Sequence, residues 1–157
     1  MAPPLLYDLS RLDLSKIEVP LEEIRKVNPH RFEMEQLSGI VHIDRENITI
    51  VGLREVKMDE FWVRGHIPGR PLLPGVLMIE SAAQLCSYAG RVLLPEIGFI
   101  GFARCEHGKF RGAVIPPSNL YVIAKMVDVS RRRIVADCQG VCNGTLVFEC
   151  KVTGMPV

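Results

Sequence analysis

From Gly39 onward, apolar and polar residues alternate in short runs, the period expected of half-buried strands. Ile40-Val41-His42-Ile43 and Ile48-Thr49-Ile50-Val51 flank the polar break Asp44-Arg45-Glu46-Asn47, a pattern that predicts a hairpin. Leu120 to Val129, Ile134 to Cys142 and Thr145 to Thr153 also have strand composition. Arg131-Arg132-Arg133 supplies the turn into the middle one of these. Asn143-Gly144 then joins it to the last, and Asn-Gly is the strongest short hairpin signal. In the strand from Ile134, the even positions Ile134, Ala136, Cys138, Gly140 and Cys142 form the less polar face.

Two stretches depart from this period. Leu21 to Val27 carries apolar residues at i, i+3 and i+6, follows Pro20 and is stopped by Asn28-Pro29, so a short helix is expected there. Gly65 to Gly75 holds three prolines and three glycines, which predicts an ordered, extended loop. A helix follows, with Pro74 suited to the first helical position and Gly90 to the C-terminal stop. Val76 to Ala89 is apolar almost all round, which marks a buried helix. The expected class is α+β, one long central helix against a largely antiparallel sheet.

Composition narrows the function. A chain of 157 residues fits one domain with a real core. A net charge of +1 leaves no basic excess to neutralise phosphates, which argues against a dedicated nucleic-acid binder. The start of the chain lacks the basic-then-apolar pattern of a signal peptide, and no apolar run approaches the length of a membrane span. A cytoplasmic location is therefore expected. The five cysteines are odd in number and irregular in spacing. Cys138 and Cys142 sit four residues apart in a strand, about 13 Å, too far for a disulfide. With no second ligand pair nearby, reduced thiols are expected rather than a metal site.

Three features carry candidate chemistry. Glu80 lies beside Val76, Ile79 and Ala83 on the helix, and an acid on an apolar face that keeps its proton can act as a general acid. Gln84, one turn on, is in reach of the same carboxyl and is expected, with Gly75 and Val76, to bind substrate; a structurally satisfied buried glutamate is the competing reading. His66 sits in the loop stiffened by Pro68 and Pro71, a setting that can hold a base in place. His30, His42 and His107 lack such a setting and are read as structural. The amides of Gly75 and Val76 open the helix at the positive end of its dipole and could hold a carbonyl that gains negative charge.

The run from His66 to Gln84, HIPGRPLLPGVLMIESAAQ, resembles the signature of the (3R)-hydroxyacyl-acyl carrier protein dehydratases of fatty-acid synthesis. Asn28 to Phe32 and Lys109 to Pro116 resemble the same family more weakly. The similarity spans residues 28–157 and leaves residues 1–27 as an N-terminal leader with its short helical segment. The resemblance implies a hotdog fold, a curved antiparallel sheet wrapped around one long central helix. It implies a homodimer, often a trimer of dimers, with each site shared between two subunits. His66 matches the histidine that removes the proton α to the thioester. Glu80 matches the acidic partner from the neighbouring subunit, and Gly75 the glycine whose amide contacts the thioester carbonyl. A glutamate here resembles the branch that only dehydrates. No cofactor is implied.

The chain departs from the family at Ile67, at Arg70, and at Glu33-Met34-Glu35-Gln36, where the family continues apolar. Acyl carrier proteins are acidic, so Arg64, Arg70, Lys109 and Arg111 are candidates for a basic docking rim. A hotdog acyl thioesterase and a non-catalytic acyl-binding subunit remain as alternatives.

Overall fold

The computed structural model describes all 157 residues. Seven strands form one antiparallel sheet: β1 (Val19–Pro20), β2 (Gly39–Asp44), β3 (Thr49–Val56), β4 (Ile100–Phe110), β5 (Ser118–Val129), β6 (Ile134–Cys142) and β7 (Thr145–Pro156). Their order in the sheet is β1-β2-β3-β5-β6-β7-β4. Two helices accompany them, α1 (Leu21–Ile24) and α2 (Gly75–Leu93). The alternation read from sequence sorts side chains as expected. On β3 and β5, Ile50, Val56, Leu120, Val122, Ala124 and Met126 join the core cluster shared with α2, while Val51, Leu53 and Ile123 join a smaller cluster on the opposite face.

Helix α2 is covered on two sides, which explains its nearly continuous apolar sequence. Met78, Ala82, Leu85, Cys86 and Ala89 belong to the core cluster formed with the sheet. The segment from Val27 to Leu37 lies against the helix elsewhere. Asn28 Nδ2 donates to the Gln84 carbonyl at 2.9 Å, and Arg91 donates to the carbonyl of Val27.

The helix ends differ from expectation. Pro74 is the N-cap, with ψ at 132°, and Gly75 is the first helical residue. Gly90 does not stop the helix, which continues to Leu93. A Cβ on Gly90 would sit 2.8 Å from Ile134 Cδ1. This glycine serves the close approach of helix and sheet rather than a change of chain direction. The short helix also ends early, at Ile24, although turn hydrogen bonds carry on to Asn28.

Strand β4 had no counterpart in the sequence pattern. It pairs only with β7, at the sheet edge, and only Ile100 is buried along its eleven residues. With neither face covered there is no alternation to detect, and the register shifts between Phe102 and Arg104 and between Glu106 and Lys109 blur the period further. The first residues of the chain cover the other face of the sheet. Leu6 N–H donates to Gln139 Oε1 at 2.8 Å, Gln139 Nε2 donates to the Pro4 carbonyl at 3.1 Å, and Leu9 is buried with Val41, Val51 and Ile123. No helix is long and apolar enough to cross a membrane.

Candidate active site

His66 is held at both ends of its residue. Its backbone N–H donates to the Trp62 carbonyl at 2.8 Å, and its ring Nδ1 lies 2.9 Å from the Leu72 carbonyl. A carbonyl can only accept, so Nδ1 carries a proton, and in the neutral form of the ring the lone pair is on Nε2. The residue is exposed, and no protein group hydrogen-bonds Nε2. The loop that carries it is tied down through Glu60. Both Glu60 oxygens receive Arg54, at 3.0 and 2.6 Å, and Glu60 Oε2 also accepts from Trp62 Nε1 at 2.8 Å. Burial alone would raise the Glu60 pKa. The hydrogen bonds from Arg54, the Lys57 amide and Trp62, with the charge of Arg54, outweigh it and hold the carboxyl below the usual carboxylate range.

Glu80 sits midway along the first half of α2, half-buried rather than enclosed in apolar surroundings. Gln84 Nε2 donates to its Oε1 at 2.8 Å, as the i, i+4 spacing predicts. The same Nε2 donates to the Met34 carbonyl at 2.6 Å, and Gln84 Oε1 accepts from the Gln36 amide at 3.0 Å. The segment that departs from the resembling family, Glu33 to Gln36, thus supplies the groups that orient Gln84.

His30, read from sequence as structural, approaches this carboxylate, with Nε2 at 3.6 Å from Glu80 Oε1. Its Nδ1 is buried without a protein partner, as is Asn28 Oδ1. The only trace of this in the sequence is that His30 falls within the Asn28-to-Phe32 segment. Glu80, His30 and Gln84 open onto a pocket of about 120 Å³ between α2 and strands β4, β6 and β7, walled by Phe99, Phe102, Ile134 and Val152 among others.

At the start of α2, the Gly75 and Val76 amides donate to no group of the protein. The space beside the Gly75 Cα is filled, because a Cβ there would lie 2.7 Å from the Phe110 ring. The glycine is needed for this ring to pack, and only its amide direction remains available. Of the four basic residues expected at a docking rim, Arg111 is engaged by Glu149 at 2.9 Å, whereas Arg64, Arg70 and Lys109 have no acidic partner. No group of three or more histidine, cysteine or acidic side chains is placed to hold a metal ion.

Within one chain, then, Glu80, Gln84 and His30 are brought together, and no hydrogen bond or ion pair joins His66 to Glu80. The chain matches the FabA-like domain model over residues 28–151. It belongs to the FabA-like domain family. Among solved structures, it is similar to the dehydratase heterocomplex ApeI:P from Xenorhabdus doucetiae, at 15% identity and a TM-score of 0.72 over 85% of this chain and 90% of that one. It is also similar to a mutant form of the phenylacetic acid degradation protein PaaI from Thermus thermophilus, at 18% identity and a TM-score of 0.57 over 75% and 91% of the two chains. A hypothetical thioesterase from Streptococcus pneumoniae, solved with coenzyme A, matches at 12% identity and a TM-score of 0.62 over 87% and 96%. At these identities the likeness is one of fold. This FabA-like chain has the hotdog fold, a seven-stranded antiparallel sheet with one long central helix.

Proposed function

We propose that this FabA-like protein is a cytoplasmic enzyme that dehydrates (3R)-3-hydroxyacyl thioesters, carried on acyl carrier protein, to trans-2-enoyl thioesters in fatty-acid synthesis. The observation that carries this reading is that a base and an acid are each fixed by one atom with the other left open. His66 is anchored through Nδ1 with Nε2 free, and Glu80 through Oε1 with Oε2 free. Nε2 takes the proton α to the thioester. The electrons move onto the carbonyl oxygen, which the Gly75 and Val76 amides receive. As they return, the bond from Cβ to its hydroxyl breaks, and Glu80 supplies the proton with which the hydroxyl leaves as water. Exchange with solvent returns the proton from His66 to Glu80.

The two groups work across a dimer, His66 of one subunit with Glu80 of the other. That no hydrogen bond or ion pair joins the two within one chain supports this, as does β4, a long edge strand that offers a backbone ladder to a second copy. Trimers of such dimers are a further expected assembly. Arg64, Arg70 and Lys109 form the rim that meets the acidic carrier. The test is enoyl formation from a 3-hydroxyacyl thioester by wild type, His66→Ala and Glu80→Gln. Loss in both variants is expected, and robust turnover in both refutes the reading. A second reading, hydrolysis of acyl thioesters, is favoured by the similarity to a thioesterase solved with coenzyme A. Release of free thiol without enoyl product selects it.

A further inference from the structure

The two halves of the candidate site are joined inside each chain by one buried cation. Arg54 lies on β3, whose even-numbered residues face α2, and it is 3% exposed. Its guanidinium reaches in two directions. Toward the helix, Nε and Nη2 donate to Gln36 Oε1 at 3.1 and 2.7 Å, the Gln36 amide donates to Gln84 Oε1 at 3.0 Å, and Gln84 Nε2 donates to Glu80 Oε1 at 2.8 Å. Toward the loop, Nη1 and Nη2 grip both oxygens of Glu60, Glu60 holds the Trp62 indole, and the Trp62 carbonyl receives the backbone N–H of His66. A guanidinium is planar and offers its donors in a fixed fork, so one side chain holds both arms at once.

We propose that Arg54 is a positioning residue that serves Glu80 and His66 of its own chain at once. This rests on the reading that each site takes His66 from one subunit and Glu80 from the other. The two arms of one Arg54 then end in different sites, and the two sites of a dimer are linked through each chain. Gln36, which completes the helix arm, lies in the stretch where this chain departs from the family it resembles, so the link is a property of this chain's own residues.

Mixed dimers, made by co-expressing two differently tagged chains, test this with a 3-hydroxyacyl thioester as substrate. Lysine at position 54 keeps the charge but loses the fork, so the Arg54→Lys homodimer should lose about 10- to 100-fold in kcat with little change in KM, the scale of a misplaced catalytic group. A mixed dimer of wild type with Arg54→Lys has one disturbed half in each site, so its activity should fall to about a tenth of wild type or below. A mixed dimer of wild type with Gln36→Leu, which cuts the helix arm alone, should keep about half, since one site contains only undisturbed halves. A loss of stability alone would not separate these two mixtures. Half activity in the Arg54→Lys mixture overturns the proposal.

If Arg54→Lys fails to give a folded dimer, Gln36→Leu and Glu60→Gln in one chain replace it, each weakening one arm, and half activity again overturns the proposal. The underlying reading is checked separately by mixing His66→Ala with Glu80→Gln. Recovery of about half the wild-type rate is expected from the one intact site. No recovery refutes the shared site, and recovery together with a half-active Arg54→Lys mixture refutes only the double role of Arg54.

Discussion

Replacing Gln84 with alanine distinguishes a residue that contacts substrate from one that holds the site together. Gln84 is buried and its side chain satisfies three groups: the Gln36 amide, the Met34 carbonyl and Glu80 Oε1. Gln36 is also buried, so its N–H would be orphaned at about 1–3 kcal/mol. Met34 is exposed, so water can reach that region and its carbonyl adds little. Loss of one buried methylene, Cγ, adds about 0.8 kcal/mol, and alanine's better helix propensity returns a few tenths. The sum is about 2.5 kcal/mol, or a fall in Tm of about 5–10 °C for a chain of this size. Urea unfolding at one fixed protein concentration measures it, since a dimer's stability depends on concentration. Ser87→Ala is the control. Ser87 lines the same pocket without a hydrogen bond, and its loss should stay within about 1 kcal/mol. Kinetically, Gln84→Ala should lower kcat by slackening Glu80 while KM stays near wild type. A loss below about 1 kcal/mol, or a raised KM with unchanged kcat, refutes the assignment of Gln84 as an anchor.

Other outcomes follow from particular contacts. Since the folded-state pKa of Glu60 is depressed, its contribution to stability is present above the ordinary carboxylate value of 4.5 and is lost as pH falls through the lower folded value. Acid unfolding should therefore be shallower in Glu60→Gln, and identical acid limbs would contradict the pair. Cys105 is the one exposed cysteine, and partial desolvation of its sulfur and then the nearby Cys150 push its pKa up to about 11. Alkylation by iodoacetamide should be slow at neutral pH and quicken about tenfold per pH unit, because the thiolate is the nucleophile; reaction at the rate of free cysteine at neutral pH counts against it. Gly140 pairs with Phe148 across β6 and β7, and that ring fills the space a Cβ would need. Gly140→Ala should destabilise by about 1–3 kcal/mol, with partial recovery on adding Phe148→Leu, read by thermal melting. Dilution of the wild type to monomer, followed by light scattering, should abolish turnover, and a fully active monomer would refute the shared site.

The sequence carried the elements that the chain itself buries. β5, β6 and β7 and their turns were legible because alternate residues meet α2, and α2 was legible because it is covered on two sides. β4 was not, since the chain leaves almost its whole length exposed. Gly90 misled for a related reason: a glycine that stops a helix and one that admits a neighbour look alike until Ile134 is placed beside it. At the site, Glu80 with Gln84 could be read from helical spacing. His30, Gln36 and Arg54 could not, because 50, 44 and 26 residues separate them from Glu80 and only tertiary packing brings them near.

The first residues of the chain bear on how the protein can be handled. The FabA-like match begins at residue 28, which invites trimming to that point. Trimming there would strip Leu6, Leu9, Leu12 and Leu14 from the sheet's outer face, uncover Val41, Val51 and Ile123, and leave Gln139 without its two backbone partners. Such a fragment would present an apolar sheet surface to solvent and favour aggregation. Loss of activity after trimming would then reflect precipitation, not chemistry. A tag joined ahead of Met1, which is fully exposed, leaves that cover in place.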